Sequence, residues 1–179
     1  INSNHHLDMR LAEVFKALDD GNLWENTIVV LVGDHGEEFY EKGRLGHNST
    51  FVQEQVRTPL VIHIPGMKPQ VYTGMSSHLD VVPTLAPYFG VTNPIADYSL
   101  GYNLLDPAQK RTYTIIANWS QVFYASPKYK TLLPSNSIAF ATQKLTDGND
   151  NPLPSLDPFY NENKAELFQI QRDLTRFVK

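Results

Sequence analysis

The tetrapeptide Gly33-Asp34-His35-Gly36 places a carboxylate beside an imidazole, directly after the apolar run 27–32. Ligands of open α/β sheets bind at the carboxyl ends of the strands, which is where this pair would stand. A carboxylate oxygen with an imidazole nitrogen suits Zn²⁺ or Mn²⁺, and suits Mg²⁺ less well because of the imidazole. The alternative is an aspartate that caps a turn beside a hydrogen-bonded histidine. Asp34 and His35 are therefore the first candidate metal ligands.

Two glutamates follow this pair, and either is a candidate to orient the histidine ring. Glu37 or Glu38 would accept a hydrogen bond from His35, as acceptors behind metal-binding histidines commonly do. A solvated loop position is the alternative for both.

Three further cationic or titratable residues are candidates with weaker signals. Arg57 is a candidate to bind an anion, with strand-end packing or an ion pair as the alternative. His78 is a candidate for the same site, with a hydrogen-bonded loop histidine as the alternative. His63 lies within an apolar run and is expected to be structural.

The elements that must position these residues follow from hydrophobic periodicity. A first helix is predicted to begin near Asn4 and to end at Gly21, with one apolar stripe formed by Leu7, Leu11, Val14 and Leu18. The β-branched runs 27–32 and 60–64 predict strands that are buried on both faces, as in parallel sheets covered by helices. Helix followed by strand indicates a layered α/β fold.

The connection between the two strands, 36–58, is long and polar, and connections of that kind are usually functional or disordered. After the second strand, Asp80 is predicted to cap a helix over 81–89. Pro83 is tolerated in the first turn of that helix, and Gly90 is expected to end it.

The remaining chain has a different texture and predicts a small antiparallel meander closed by a helix. Aromatic and β-branched residues fill 113–126, and 129–133 and 137–142 are predicted to be further short strands. The segment 147–158 is predicted to be a loop. A last helix begins near Asn161 or Asn163, with an apolar face formed by Leu167, Ile170, Leu174 and Phe177. We therefore predict two parts, 1–110 and 111–179.

Composition narrows the possible functions. The 179 residues carry 15 basic and 19 acidic side chains, a net charge of −4, which argues against a nucleic-acid partner. The absence of cysteine excludes disulfides, thiolate metal sites and cysteine nucleophiles within these residues. No apolar run approaches the roughly 18 residues that a membrane span needs.

Four segments, taken in order along the chain, resemble the sulfatase and alkaline phosphatase superfamily. They are Asn-Thr-Ile-Val-Val-Leu-Val-Gly-Asp-His-Gly-Glu at 26–37, Arg-Thr-Pro-Leu-Val-Ile at 57–62, Asp-Val-Val-Pro-Thr-Leu at 80–85 and Lys-Tyr-Lys at 128–130. The resemblance implies the C-terminal portion of an αβα sulfatase-like (alkaline phosphatase-like) fold, with a small antiparallel sheet and a closing C-terminal helix. Within the superfamily, Glu37-Glu38-Phe39 and the Gly46-His47 step resemble the YejM (PbgA)-like inner-membrane branch most.

The resemblance also implies chemistry for particular residues. Asp34 and His35 are expected to bind a divalent metal (Mn²⁺, Zn²⁺ or Mg²⁺). His47 is expected to contact the anionic group of a phosphate or sulfate ester, possibly lipid-linked, with a solvated loop histidine as the alternative. Arg57 and His78 are further candidates for that anion. By the same resemblance, the domain faces the periplasm at the bacterial inner membrane and is anchored by an upstream segment.

The nucleophile that this chemistry needs is not found in these residues. In the family it is a threonine, a serine or a formylglycine that lies well upstream of the aspartate–histidine pair, together with a first acidic ligand. We therefore expect the chain to be part of a longer protein, to be inactive alone, and to expose an apolar face that favours self-association or the missing half. The alternative function is a non-catalytic module that binds envelope lipid or a protein and regulates membrane or lipopolysaccharide homeostasis.

Overall fold

The computed structural model describes residues 2–135 and 141–176, and the chain divides into two units. One unit contains the segment up to Gly36 together with Arg57–Val71. The other contains Glu37–Val56 and the chain from Tyr72 onward. The predicted parts 1–110 and 111–179 stay a prediction. No helix in the described ranges is long and apolar enough to cross a membrane.

Helix α1 (Asn2–Asp20) ends where the sequence predicts but begins earlier than predicted. Asn4 lies inside the helix, so its prediction as the N-cap is wrong. At the other end the backbone amides of Gly21 and Leu23 donate to the last helical carbonyls, at Ala17 (3.1 Å) and Leu18 (2.9 Å). The left-handed residue of this turn is Asn22, with φ 52°, and not the glycine.

The packed face of α1 differs from the predicted stripe. Leu11 and Leu18 are half-buried, whereas Leu7 and Val14 are 57% and 53% exposed. Phe15 packs on Trp24 instead, with ring centroids 5.8 Å apart. The Trp24 and His63 rings pack edge to face with centroids 4.9 Å apart, which fits the structural role expected of that histidine.

Strands β1 (Val29–Val32) and β4 (Leu60–His63) form a two-stranded sheet, and they are antiparallel. The prediction of parallel strands buried on both faces is wrong here, because Val32 and Val61 are 45% and 58% exposed. A β-branched run indicates that a strand forms, but it does not fix the direction of its partner. The pairing continues past the strand end, where the Gly33 amide donates to Pro59 at 3.1 Å.

The second unit begins with a short hairpin, which the sequence analysis treated only as a connection. Strands β2 (Glu38–Phe39) and β3 (Leu45–Gly46) pair antiparallel. A four-residue helix, α2 (Gln53–Val56), follows. The long segment is therefore ordered.

Helix α3 (Val81–Leu85) is preceded by a 3₁₀ turn, His78–Asp80, and followed by another, Ala86–Phe89. Asp80 occupies the N-cap position of α3, as predicted, but its side chain makes no capping hydrogen bond to that helix. Ser77 caps the preceding 3₁₀ turn, and Asp80 is the N3 residue of that capping box, with its carboxylate accepting from the Ser77 amide at 2.8 Å. The Asp80 side chain is fully buried and forms an ion pair with Arg111.

The C-terminal part confirms the predicted antiparallel meander. Its five strands lie in chain order as β5 (Thr114–Ala117), β6 (Val122–Ala125), β7 (Lys130–Leu133), β8 (Leu145–Thr146) and β9 (Pro152–Leu153). The predicted strand 137–142 lies mostly outside the described residues, and Ala141 and Thr142 are not in a strand. The predicted loop 147–158 contains β9, which was missed.

Two helices close the sheet, α4 (Asp157–Glu162) and α5 (Lys164–Asp173), and Asn163 joins them. Leu167 and Ile170 face the core as predicted, Leu174 is exposed, and Phe177 lies outside the described residues. The core is formed by Tyr124, Tyr129, Leu145, Phe159 and Ile170.

Gly90 ends the second 3₁₀ turn in the left-handed conformation, with φ 78°, as a helix-stopping glycine should. A Cβ built there meets nothing within 4 Å, so an alanine would carry backbone strain alone. We expect Gly90→Ala to lower the free energy of unfolding by about 1 kcal/mol. Gly90→Asn should cost less, because asparagine tolerates this conformation. Urea unfolding measures both, and equal stability of Gly90→Ala and the parent would contradict the prediction.

Candidate active site

Asp34 and His35 leave strand β1 together, and their side chains point to one another. The distance from His35 Nε2 to Asp34 Oδ2 is 3.6 Å, and the Asp34 and His35 side chains are 90% and 42% exposed. Asp34 Oδ1 also accepts from the His35 backbone amide at 3.0 Å, which limits the rotation of the carboxylate. The pair thus presents oxygen and nitrogen donors at one point on the surface.

The Gly36 carbonyl oxygen bears on which ring nitrogen of His35 carries a proton. The ring Nδ1 lies 3.0 Å from this oxygen, which can only accept a hydrogen bond. This contact favours a proton on Nδ1, and a ring protonated there alone has Nε2, the nitrogen that faces Asp34, available to bind a metal. This is the arrangement found in metal-binding histidines, whose second nitrogen donates to a carbonyl or carboxylate.

Glu37 and His47 form a second pair at the base of the β2–β3 hairpin. Glu37 Oε2 lies 3.0 Å from His47 Nδ1, and the two side chains are 43% and 48% exposed. Since a carboxylate accepts, the His47 ring donates from Nδ1 and carries the lone pair on Nε2. Glu37 therefore orients His47, a contact that was not predicted, and its predicted role toward His35 stays a prediction.

Glu38 is buried, which contradicts the alternative of a solvated loop residue and leaves it no role as the acceptor for His35. Its carboxylate accepts hydrogen bonds from the backbone of the hairpin turn and from Gln55. Burial raises the pKa of this carboxyl, but hydrogen bonds from the Arg44 amide, the Gln55 side chain and the Lys42 amide outweigh burial and bring the pKa below its ordinary value. Glu38 is thus an ionised structural acceptor.

The segment that carries His47 is fastened to the C-terminal sheet at three points. The Phe51 ring stacks on Phe123 with centroids 3.9 Å apart. Gln53 donates from its amide to Asp150 Oδ2 at 2.8 Å and from its side chain to the Gly148 carbonyl at 2.6 Å. Asp150 is held in turn by a buried ion pair with Lys130.

The remaining candidates occupy exposed positions. Arg57 immediately precedes β4, and His78 is the first residue of the 3₁₀ turn before α3. Their roles toward an anion stay predictions. Among the residues that shape the site, Gln55 and Asp150 were not foreseen, because an isolated glutamine or aspartate in a polar stretch carries no pattern.

Comparison with known proteins gives a consistent result. The sequence model of the Sulfatase family matches residues 1–91. The multifunctional alkaline phosphatase superfamily protein PehA of Trinickia caryophylli is 33% identical over a 173-position alignment that covers 89% of this chain and 32% of that protein. The inner membrane protein YejM of Salmonella typhimurium is 26% identical over 132 residues, 73% of this chain and 22% of that protein.

A solved structure of a 2-O GAG sulfatase, BT1596, superposes with a TM-score of 0.61 at 22% identity, covering 84% of this chain and 36% of that one. This likeness confirms the expected alkaline phosphatase-like fold. The chain spans about a third or less of the length of the curated relatives given above. With half of its residues matched by the family model, the chain belongs to the Sulfatase family.

Proposed function

We propose that the protein containing this chain is a metal-dependent hydrolase or transferase of phosphate or sulfate esters. The observation that carries the proposal is the Asp34–His35 pair, in which His35 Nε2 lies 3.6 Å from Asp34 Oδ2 and His35 Nδ1 lies 3.0 Å from the Gly36 carbonyl oxygen. Membership of the Sulfatase family supports the reaction class. The relatives named for choline-sulfatase and lipoteichoic acid synthase activities support a sulfate or a phosphate ester equally.

The donor set fits a divalent metal. Asp34 offers a largely exposed carboxylate oxygen and His35 an imidazole nitrogen, a combination that Zn²⁺ and Mn²⁺ favour. Two donors hold a metal weakly, since tight protein sites use about four ligands. We therefore assign Asp34 and His35 as two ligands of a site whose other ligands, by family resemblance, lie upstream. When bound, a divalent metal would stabilise the negative charge that develops on a phosphate or sulfate oxygen.

His47 is proposed to bind the anionic group of the ester, with Glu37 behind it. The Glu37 carboxylate accepts from His47 Nδ1, which fixes the orientation of the ring. When Nε2 also carries a proton, it can donate to an ester oxygen. Arg57 and His78 are proposed as secondary contacts to the same anion.

The nucleophile is proposed to lie outside residues 1–179, as family resemblance implies. The chain alone should therefore hydrolyse neither ester. Location on the periplasmic face of the bacterial inner membrane is likewise proposed, from the similarity to inner membrane protein YejM and lipoteichoic acid synthase 1.

The test uses the intact protein, stripped with a chelator and reloaded with Mn²⁺, Zn²⁺ or Mg²⁺. Turnover of an aryl phosphate and an aryl sulfate is measured beside the metal content of each sample. We expect Asp34→Ala to lower turnover by more than about 100-fold and to reduce bound metal, because even partners behind a metal ligand are worth 10- to 100-fold.

Asp8→Ala is the matched control, since Asp8 is an exposed aspartate on α1. Turnover that persists both after chelation and in Asp34→Ala would contradict the proposal. A protein that binds metal yet shows no turnover with either ester would favour the alternative, a module that binds envelope lipid or a protein.

A further inference from the structure

Glu38 is a fully buried carboxylate inside the segment that carries the Glu37–His47 pair. Its Oε1 accepts from the backbone amides of Lys42 at 3.0 Å and Arg44 at 2.8 Å, on the hairpin turn. Its Oε2 accepts from Gln55 Nε2 at 2.8 Å, at the far end of the segment. One side chain thus holds the two ends of the segment together.

Gln55 completes the arrangement from the other side. Its Oε1 accepts from the backbone amides of Ser49 and Thr50, each at 3.1 Å, and its Nε2 also donates to Ser49 Oγ at 3.0 Å. These two amides directly follow the His47-Asn48 dipeptide. Gln55, itself 3% exposed, therefore fixes the chain that leaves His47.

The Glu38–Gln55 pair is bracketed by the two residues of the proposed anion site. Glu37 is the residue before Glu38, and His47 is the residue after Gly46, the cross-strand partner of Glu38. The path between them needs unusual backbone: Gly46 has φ 98° and Asn48 has φ 60°. Glycine adopts such a conformation readily, but Asn48 keeps its left-handed conformation only because surrounding contacts determine it.

The Glu38 carboxylate has a structural role, because an apolar side chain would leave the Lys42 and Arg44 amides without this acceptor. Burying its charge is costly unless hydrogen bonds replace the lost water. Glu38 uses both oxygens to bind backbone and side-chain amides that set the path of the loop. The charged carboxylate of Glu38 therefore helps to fix the backbone path of this loop.

We propose that Glu38 and Gln55 form a positioning pair that holds His47 in its hydrogen bond with Glu37. The proposal rests on the proposed function of His47, and it adds two residues that act through His47 and do not touch the ester. Truncation of either should release the His47 ring and reduce transition-state binding. A misplacement of about 1 Å can cost up to about 100-fold in rate.

The test compares five forms of the intact protein with the parent. They are Glu38→Ala, Glu38→Gln, Gln55→Glu, the exchanged double variant Glu38→Gln/Gln55→Glu, and the control Glu41→Gln. Glu41 is an exposed glutamate of the same hairpin that accepts from the Phe39 amide, which a glutamine still allows. The readouts are kcat/KM for the aryl ester and the ring ¹⁵N signals of His47 at about pH 8.5, where an ordinary imidazole is neutral.

In the parent we expect the His47 proton on Nδ1, and in Glu38→Ala we expect it to redistribute toward Nε2 with a fall of about tenfold or more in kcat/KM. In Glu38→Gln two donors meet at the contact between residues 38 and 55, and in Gln55→Glu two acceptors meet there. We expect both single variants to behave like Glu38→Ala. The double exchange restores donor to acceptor and should recover most of both readouts, as expected for coupled neighbours. The double variant also keeps the test informative where Glu38→Ala does not fold.

Unchanged ¹⁵N signals and unchanged kcat/KM in Glu38→Ala would overturn the positioning proposal. A double exchange no better than the single ones would also overturn it. A further variant, His47→Gln, tests the proposed function of His47 separately. If this variant keeps full turnover, the proposed role of His47 toward the ester is wrong. The ¹⁵N signals of His47 in the Glu38 variants still show whether Glu38 positions the ring.

Discussion

His47→Ala in the intact protein is expected to lower kcat/KM for an aryl phosphate or sulfate by about 100- to 1,000-fold. A preorganised donor to a developing oxyanion is worth that much in other enzymes, and the His47 ring is held for such a role by Glu37 at 3.0 Å. Glu37→Gln keeps an acceptor but removes the charge behind the ring, so its loss should be smaller, about tenfold.

The control for this experiment is His6→Ala, which removes an exposed histidine on α1 and should leave kcat/KM unchanged. Bound metal is measured in every variant, because the proposed metal ligands are Asp34 and His35 and not His47. Full activity in His47→Ala would show that the ester is bound by other residues.

Asp80→Ala is expected to produce the largest loss of stability, about 3–5 kcal/mol of unfolding free energy. Asp80 and Arg111 form an ion pair with side chains 0% and 6% exposed. Asp80 also accepts from the backbone amides of Ser77 at 2.8 Å and Tyr102 at 2.7 Å. Removing the carboxylate leaves a buried guanidinium and two amides without their acceptor, and breaking one side of a buried pair costs this much.

Urea unfolding measures the effect. The control is Arg10→Ala, which breaks an exposed pair with Glu13 (58% and 63% exposed) and should cost less than about 0.5 kcal/mol. The double variant Asp80→Leu/Arg111→Met removes both charges and should recover much of the loss. An Asp80→Ala protein as stable as Arg10→Ala would contradict the prediction.

The antiparallel sheet and the candidate ligands were predictable because their signals are local. Neighbouring strands of a meander follow one another in the chain, so strand patterns and turns suffice to order β5 to β7. Asp34 and His35 were identified from residue type and from their place after a strand. The short strand β9 escaped because it is two residues long and begins with Pro152, a residue that usually argues against a strand.

The turn before α3 carries a signal that was only partly recognised. Ser77 and Asp80 are three positions apart, which is the spacing of a capping box, yet Asp80 alone was taken as a cap. No local pattern predicts the contact between Asp80 and Arg111, because 31 residues separate them in the sequence. A buried carboxylate needs a charged or hydrogen-bonding partner, and here that partner is distant in the sequence.

The β2–β3 hairpin and the partners of its glutamates could not be predicted from the sequence. Strands of two residues have no measurable periodicity, so 36–58 looked like an unstructured connection. The choice of Glu37 for His47, and of Glu38 for the hairpin turn, depends on backbone conformations such as φ 98° at Gly46 that residue types suggest only weakly.

The spans of chain closed by the Glu38 and Gln53 contacts have a consequence for the order of folding. Glu38 meets Gln55 across 17 residues, whereas Gln53 meets Asp150 across 97. Loop-closure entropy makes the second contact costlier by about 1.5 kcal/mol. The loop can therefore take its shape as a local unit before it docks on the sheet. In the folded protein we expect the reverse order of opening: undocking comes first, and amide hydrogens at Ser49 and Thr50 exchange later than the one at Gln53.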